Sequence, residues 1–299
     1  VAVETKPREI KWYDSVWLRK YLAAKEIVAR VAPHRLEEFV HSFDVLRTDP
    51  GFSVREPDRF FDPPTLETIK GIVRSIRSSD MNVREFDRFG RMIVHNHPEF
   101  AKMQAALTDA VSRHVGEAVE PSYNFLSLYT QMGVCEPHLD APSAKWTLDL
   151  CIDQSDPWPI HFSQIIPWPE QAPDLGEDWE SALKNDPGLH FESKTLQPGE
   201  GIIFSGSSQW HYRDSLSHVS DGGYCHLLFF HYIPKGTGKL VSPKQWPRLF
   251  GIPELAEIPG IGPEMGMARR IAGSLYRAAK SPRRELARYG AFLKGNGWR

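Results

Sequence analysis

Between residues 98 and 116 the apolar positions Phe100, Met103, Leu107, Val111 and Val115 recur at intervals of three and four, the spacing of one helical face. Pro98 stands where a first helical residue is expected. The same spacing predicts a helix capped by Asp14 or Ser15 that carries Trp17, Leu18, Tyr21 and Leu22. It predicts another opened by Pro64 and Thr65, with Ile69, Ile72, Val73 and Ile76. The run GFSVREPDRFFDPP between them reads as an irregular connection, and the first part of the chain reads mainly as helix. From residue 122 the period drops to two. In SYNFLSLYTQMG, Tyr123, Phe125, Ser127, Tyr129 and Gln131 share one face while Leu126 and Leu128 share the other, as in a half-buried strand. KWTLDLCID repeats the signal, and Ile202 to Phe204 form a short apolar strand after the turn at Pro198 and Gly199. The segment from 155 to 188 combines many prolines with Trp158, Trp168 and Trp179. Proline is excluded from central strands, so a long loop is expected there, either a lid over a site or an insertion anchored by its tryptophans.

These periods divide the chain into three parts within an α+β class. Residues 1–121 form a mainly helical supporting region, 122–234 a strand-rich core, and 235–299 a helical extension. The extension has thirteen Lys or Arg against four acidic residues, although the whole chain is near neutral at −2. In MGMARRIAGSLYRAAK, Met267, Ile271 and Leu275 fall at helical spacing among Arg269, Arg270, Arg277 and Lys280. Such a basic amphipathic helix suits the acidic remainder of its own chain, a second subunit in a homodimer, or an anionic surface. The overall charge gives no case for sequence-specific nucleic-acid binding. No apolar run reaches the length that spans a bilayer, and Cys135, Cys151 and Cys225 are odd in number and lack C-x-x-C spacing. A soluble, cytoplasmic protein is expected.

Against this background His138, Leu139 and Asp140 stand out. On a strand, residues i and i+2 face one way, so His138 and Asp140 reach a common ion while Leu139 turns to the opposite layer. His211, 71 residues beyond Asp140 and just after the Ile202 to Phe204 strand, supplies a third ligand from a strand end. Two histidines and one carboxylate leave open positions on an octahedral ion, the requirement of non-heme Fe(II) oxygenases. Cys135, three residues before His138, is either near the ion or a small buried residue. The order of strand, glycine-containing turn, ligand strand, further strand and distal histidine is the skeleton of a double-stranded β-helix, a jelly-roll or cupin-like core.

With these residues in place, the core resembles the Fe(II)- and 2-oxoglutarate-dependent oxygenases, in particular their prolyl-4-hydroxylase-like branch, over about 110 residues. Tyr129, Gly133, His138 and Asp140 reproduce that branch's tyrosine, glycine and H-x-D spacing. Lys145 and Thr147 fall near the basic residue and threonine that start its next strand. Leu196, Pro198, Gly199, Ile203 and Phe204 match its approach to the distal histidine. The resemblance implies Fe(II) held by His138, Asp140 and His211, with 2-oxoglutarate and O2 as cosubstrates and a small molecule or side chain hydroxylated at a C–H bond. Asp140, being a carboxylate, argues against halogenation, while desaturation, ring formation and epimerisation stay open. The chain departs from the family on the last core strand. SDGGYCHLLFFHY contains no Arg or Lys to hold the distal carboxylate of 2-oxoglutarate. Arg213 is the first candidate for that task, with Lys145 and His226 as alternatives and Tyr129 as a hydrogen-bond donor. Two other readings remain: an iron oxygenase of the same fold that does not use 2-oxoglutarate, and a metal-binding jelly-roll module without catalysis.

Overall fold

The computed structural model describes residues 16–56, 60–170, 178–218 and 223–261. Expectations for the cap at Asp14 or Ser15 and for the basic helix within 265–280 lie outside these residues. Helices α1 (Val16–Val31) and α2 (Leu36–His41) come first, followed by α3 (Pro63–Ser75) and α4 (Phe86–Phe89). Asp62 caps α3 by accepting a hydrogen bond from the Thr65 N–H at 2.8 Å, and Pro63 takes the first turn, where no N–H is needed. Strand β1 (Arg91–His95) then appears within the region read as helical. The stripe from Phe100 to Val115 forms as expected, but on two helices, α5 (Pro98–Ala106) and α6 (Thr108–Val115), which meet at Leu107.

Eight more strands follow: β2 (Val119–Tyr129), β3 (Cys135–His138), β4 (Trp146–Gln154), β5 (Ile160–Phe162), β6 (Glu192–Lys194), β7 (Gly201–Ser205), β8 (His211–Arg213) and β9 (Cys225–Pro234). Two short helices, α7 (Trp179–Lys184) and α8 (Trp246–Phe250), complete the set. The strands make two antiparallel sheets, β1-β2-β9-β4-β7 and β3-β8-β5-β6. From β2 to β4 and from β7 to β9, successive strands alternate between the sheets.

The alternation read in β2 decides which side chains go where. Leu126 and Leu128, with Leu148, Leu150, Leu228 and Phe230, turn outward into a core shared with Ile69, Val73, Phe100 and Val111 of α3, α5 and α6. Tyr129, Cys151, Ile202, Phe204 and Leu227 turn inward and meet Trp158, Ile160 and Phe162 beneath the smaller sheet. A third core joins the two ends of the described chain. Trp17, Tyr21, Phe39 and Phe43 from the first helices pack with Trp246, Phe250, Leu255 and Ile258 from residues after β9.

The proline-rich loop is tied down by its tryptophans. Trp158 is buried in the inward core and donates its indole N–H to the Asp214 carbonyl at 2.8 Å. Trp168 packs edge-on against Trp17 at 5.4 Å and lies under the Arg47 guanidinium at 4.8 Å. The same segment also contains β5, whose Ile160 and Phe162 follow Pro159 directly. Among the described residues no helix is long and apolar enough to cross a membrane.

Trp246 is fully buried, packs edge-on against Trp17 and Phe43, each at 5.4 Å, and donates to the Leu240 carbonyl. Trp246→Ala is expected to lower unfolding stability by about 3–5 kcal/mol, measured by denaturant titration, through the cavity it leaves.

Candidate metal centre

Strand register brings the ligand atoms together. β3 and β8 pair antiparallel with His138 opposite His211, and their rings stand 4.1 Å apart. Asp140 lies just past the end of β3, held by its N–H to the Gly206 carbonyl at 2.8 Å. Leu139, between the ligands, turns to the far side of the smaller sheet and packs with Leu183 and Trp210. One ligand atom from each of His138, Asp140 and His211, an imidazole nitrogen or a carboxylate oxygen, lies within 4.8 Å of the other two. His138 Nε2 is 3.7 Å from Asp140 Oδ1, and His211 Nε2 is 3.8 Å from Oδ2.

The tautomers are fixed from behind. His138 Nδ1 is 2.8 Å from the Glu136 carbonyl, and His211 Nδ1 is 3.0 Å from the Gln209 carbonyl. A carbonyl only accepts, so each Nδ1 carries a proton, and each Nε2 turns its lone pair toward the other two residues when its ring is neutral. A protein that orients its ligands this way fits a divalent ion that takes imidazole and carboxylate together. Burial, with the neighbouring His138, holds His211 well below the ordinary histidine range. Burial also works against a charge on His138, but Cys135, Asp140 and the Glu136 carbonyl outweigh it and lift that histidine to about 9. The Cys135 sulfur lies 3.9 Å from His138 Nδ1, behind the ring and away from the converging Nε2 atoms. Burial raises the Asp140 carboxyl, against the pull of His138.

Close approach of the backbone makes Gly206 part of the centre. A Cβ at this position would stand 2.4 Å from Asp140 Oδ2 and 2.6 Å from the Ala144 carbonyl oxygen. No side chain fits there without displacing the carboxylate. The only signal in the sequence is the small-residue turn SGSS, which is too common to single out.

Deeper between the sheets lies a second group of polar residues. Arg213, two residues along β8 from His211, is 3 % exposed and pairs with Asp149 of β4 at 2.8 Å. It also donates to the Trp158 carbonyl and lies over the Trp158 ring. Burial works against the charge of Arg213, and Asp149 outweighs it, while burial pushes the Asp149 carboxyl upward against the pull of Arg213. Tyr129 of β2 packs edge-on against Trp158 at 4.9 Å, and its hydroxyl accepts a hydrogen bond from Arg91 of β1 at 2.6 Å. Arg91 is in turn paired with Glu85 at 2.6 Å. The Ser127 hydroxyl and Asp149 Oδ1 are buried in this region with no hydrogen-bond partner among the described residues. Arg91 went unnoticed in the sequence because its strand sits in a stretch read as helical.

The two alternative anchors sit elsewhere. Lys145 reaches the Glu117 carboxylate at 2.7 Å and the Val45 carbonyl at 2.9 Å, at the outer end of β4. His226 has the same parity on β9 as Leu228 and Phe230, so it faces the helical side of the sheet, where Lys70 of α3 is a charged neighbour. Neither belongs to the group around Arg213: His226 is one residue out of phase with the inward-facing Leu227, and one residue of shift exchanges the faces of a strand, while Lys145 precedes β4 in helical backbone and is drawn off to Glu117.

Two measurements test the centre. Because a metal binds neutral imidazole, the apparent affinity for Co(II) is expected to rise by about tenfold per pH unit between about pH 6 and 8, as His138 gives up its proton. Calorimetric titration at several pH values reads the slope, and a flat profile would contradict the upward shift of His138. Gly206→Ala is expected to weaken Co(II) binding by about 10–100-fold while the far-ultraviolet circular dichroism stays that of the parent.

No protein-family model matches the chain, and no curated protein does. Similar solved structures include HygX from Streptomyces hygroscopicus with nickel and 2-oxoglutarate bound, at 12 % identity and TM-score 0.46 over 66 % of this chain and 86 % of that one. AviO1 from Streptomyces viridochromogenes Tue57 aligns at 17 % identity and TM-score 0.43 over 66 % of this chain and 95 % of its own. A Pseudomonas putida prolyl-4-hydroxylase aligns at 11 % identity and TM-score 0.42 over 72 % of this chain and 100 % of its own.

Proposed function

We propose that the protein is an Fe(II)- and 2-oxoglutarate-dependent dioxygenase that hydroxylates a C–H bond of a small molecule or side chain. The observation that carries this reading is the convergence of His138, Asp140 and His211 within 4.8 Å, with both Nδ1 atoms tied to backbone carbonyls. The alternation of strands between the sheets supports a double-stranded β-helix as the frame. When bound, the iron and cosubstrate would supply the oxidative chemistry, coupling decarboxylation of 2-oxoglutarate to oxidation of the substrate.

The chain's own residues have three tasks in this reading. His138, Asp140 and His211 hold the ion on one side and leave its other positions to cosubstrate and O2. Arg213, Tyr129 and Arg91 receive the distal carboxylate of 2-oxoglutarate between the two sheets. Two of the five N–H groups of Arg213 serve the Trp158 carbonyl and Asp149. The orphaned Ser127 hydroxyl fits the same carboxylate. Tyr123, Phe125 and Phe229 keep partial exposure although they face inward, so they wall the approach to the ion and exclude water from it.

The buried pairing of Arg213 with Asp149 favours a second reading, an iron oxygenase of the same fold that does without 2-oxoglutarate. Oxygen consumption and succinate formation separate the two. The expected result is O2 uptake that requires both Fe(II) and 2-oxoglutarate and yields succinate, abolished in His138→Ala. Uptake without succinate would establish the second reading instead. Arg213→Lys keeps the charge but loses the planar fork, and is expected to raise KM for 2-oxoglutarate by about tenfold with a smaller change in kcat.

A further inference from the structure

A third inward-facing imidazole stands beside the proposed centre. His231 of β9 lies in register with Tyr123 on one side and Thr147 on the other. Its ring is 2 % exposed and stacks on Tyr123 at 4.2 Å. Nδ1 is 3.0 Å from the Thr147 hydroxyl, which is itself 3.5 Å from Asp140 Oδ2. Nε2 is buried with no hydrogen-bond partner among the described residues. The three side chains come from three different segments, and no pattern in the sequence links them.

Proton counting gives this chain a direction. A carboxylate that binds a metal only accepts hydrogen bonds, so the single Thr147 proton is donated to Asp140. Thr147 Oγ1 is then left to accept, and His231 must carry its proton on Nδ1. Burial and the neighbouring His95 hold His231 near 3, so the ring stays neutral and its tautomer is set by Thr147 alone. We propose that His231 is a positioning residue: through Thr147 it secures Oδ2 of Asp140 and leaves Oδ1 to the metal, which keeps the carboxylate to one coordination position. A carboxylate held by one oxygen preserves the open positions that a cosubstrate and a third ligand need. The inference rests on the metal-centre reading and adds to it a reason for the orientation of its one acidic ligand.

The test separates the two nitrogens of His231. The amide nitrogen of Asn falls near the place of Nδ1, whereas that of Gln falls near Nε2. Cobalt(II) serves as the probe, read by binding affinity and by its visible d–d bands, which respond to coordination number. Thr147→Val and His231→Gln are expected to weaken Co(II) binding by about tenfold and to alter the bands, while Thr147→Ser and His231→Asn stay within about twofold of the parent with its spectrum. Thr147→Val is nearly isosteric, and parent-like behaviour in it overturns the proposal even if the His231 variants fail to fold. Parent-like affinity and bands in Thr147→Val overturn the proposal, as does an Asn variant that behaves like the Gln one. If the parent protein binds no Co(II), the metal-centre reading falls and takes this inference with it. Parent-like binding in Thr147→Val removes the inference alone.

Discussion

The short antiparallel pairing of β3 with β8 is the constraint on which the site depends. It sets His138 opposite His211, so that two imidazoles separated by more than seventy residues in the chain face each other at 4.1 Å. Asp140 follows because the strand direction of β3 continues past its end through the bond to the Gly206 carbonyl. Arg213 follows because β8 carries it two residues farther along the same inward face. A slip of one residue between these strands would send His211 outward and bring Tyr212 in its place, leaving a single histidine at the centre.

The interior that this register creates is unusually charged. Arg213 and Asp149 are both buried, and Arg91 reaches Tyr129 from the sheet edge while pairing with the partly exposed Glu85. A buried ion pair seldom adds net stability over an apolar pair of the same volume, because both groups must be stripped of water. Arg91 donates to the Tyr129 phenol, and Asp149 and Glu85 offset the charges of Arg213 and Arg91.

Much of this was legible in the sequence where one physical rule acted alone. The two-residue period of β2 gave the inward and outward faces of the sheet, and the H-x-D spacing placed His138 and Asp140 on the side opposite Leu139. Reading failed where the signal was short or two-sided. RMIVH has no clean alternation, so β1 and Arg91 vanished into a helical stretch. The apolar run LLFF of β9 is buried on both faces, which left the direction of His226 open and hid that of His231. The helix expected from 98 to 116 breaks at Leu107, although the stripe continues across the break. Gly206 and Thr147 owe their places to distances between distant segments, which no local pattern records.

The anchoring of Trp168 links parts of the molecule that the strand order keeps apart. The loop that bears it leaves β5 of the smaller sheet, yet the indole is packed among Trp17 and Tyr21 of α1, and Trp17 in turn rests on Trp246. Opening of the terminal helical layer would release the loop, and with it the strand beside His211. Cooperative units of a protein are defined by such shared packing rather than by sequence neighbourhood. The amides of α1 and of β5 should accordingly exchange with solvent in one event, so that the integrity of the ligand sheet is set in part by residues at the opposite ends of the described chain.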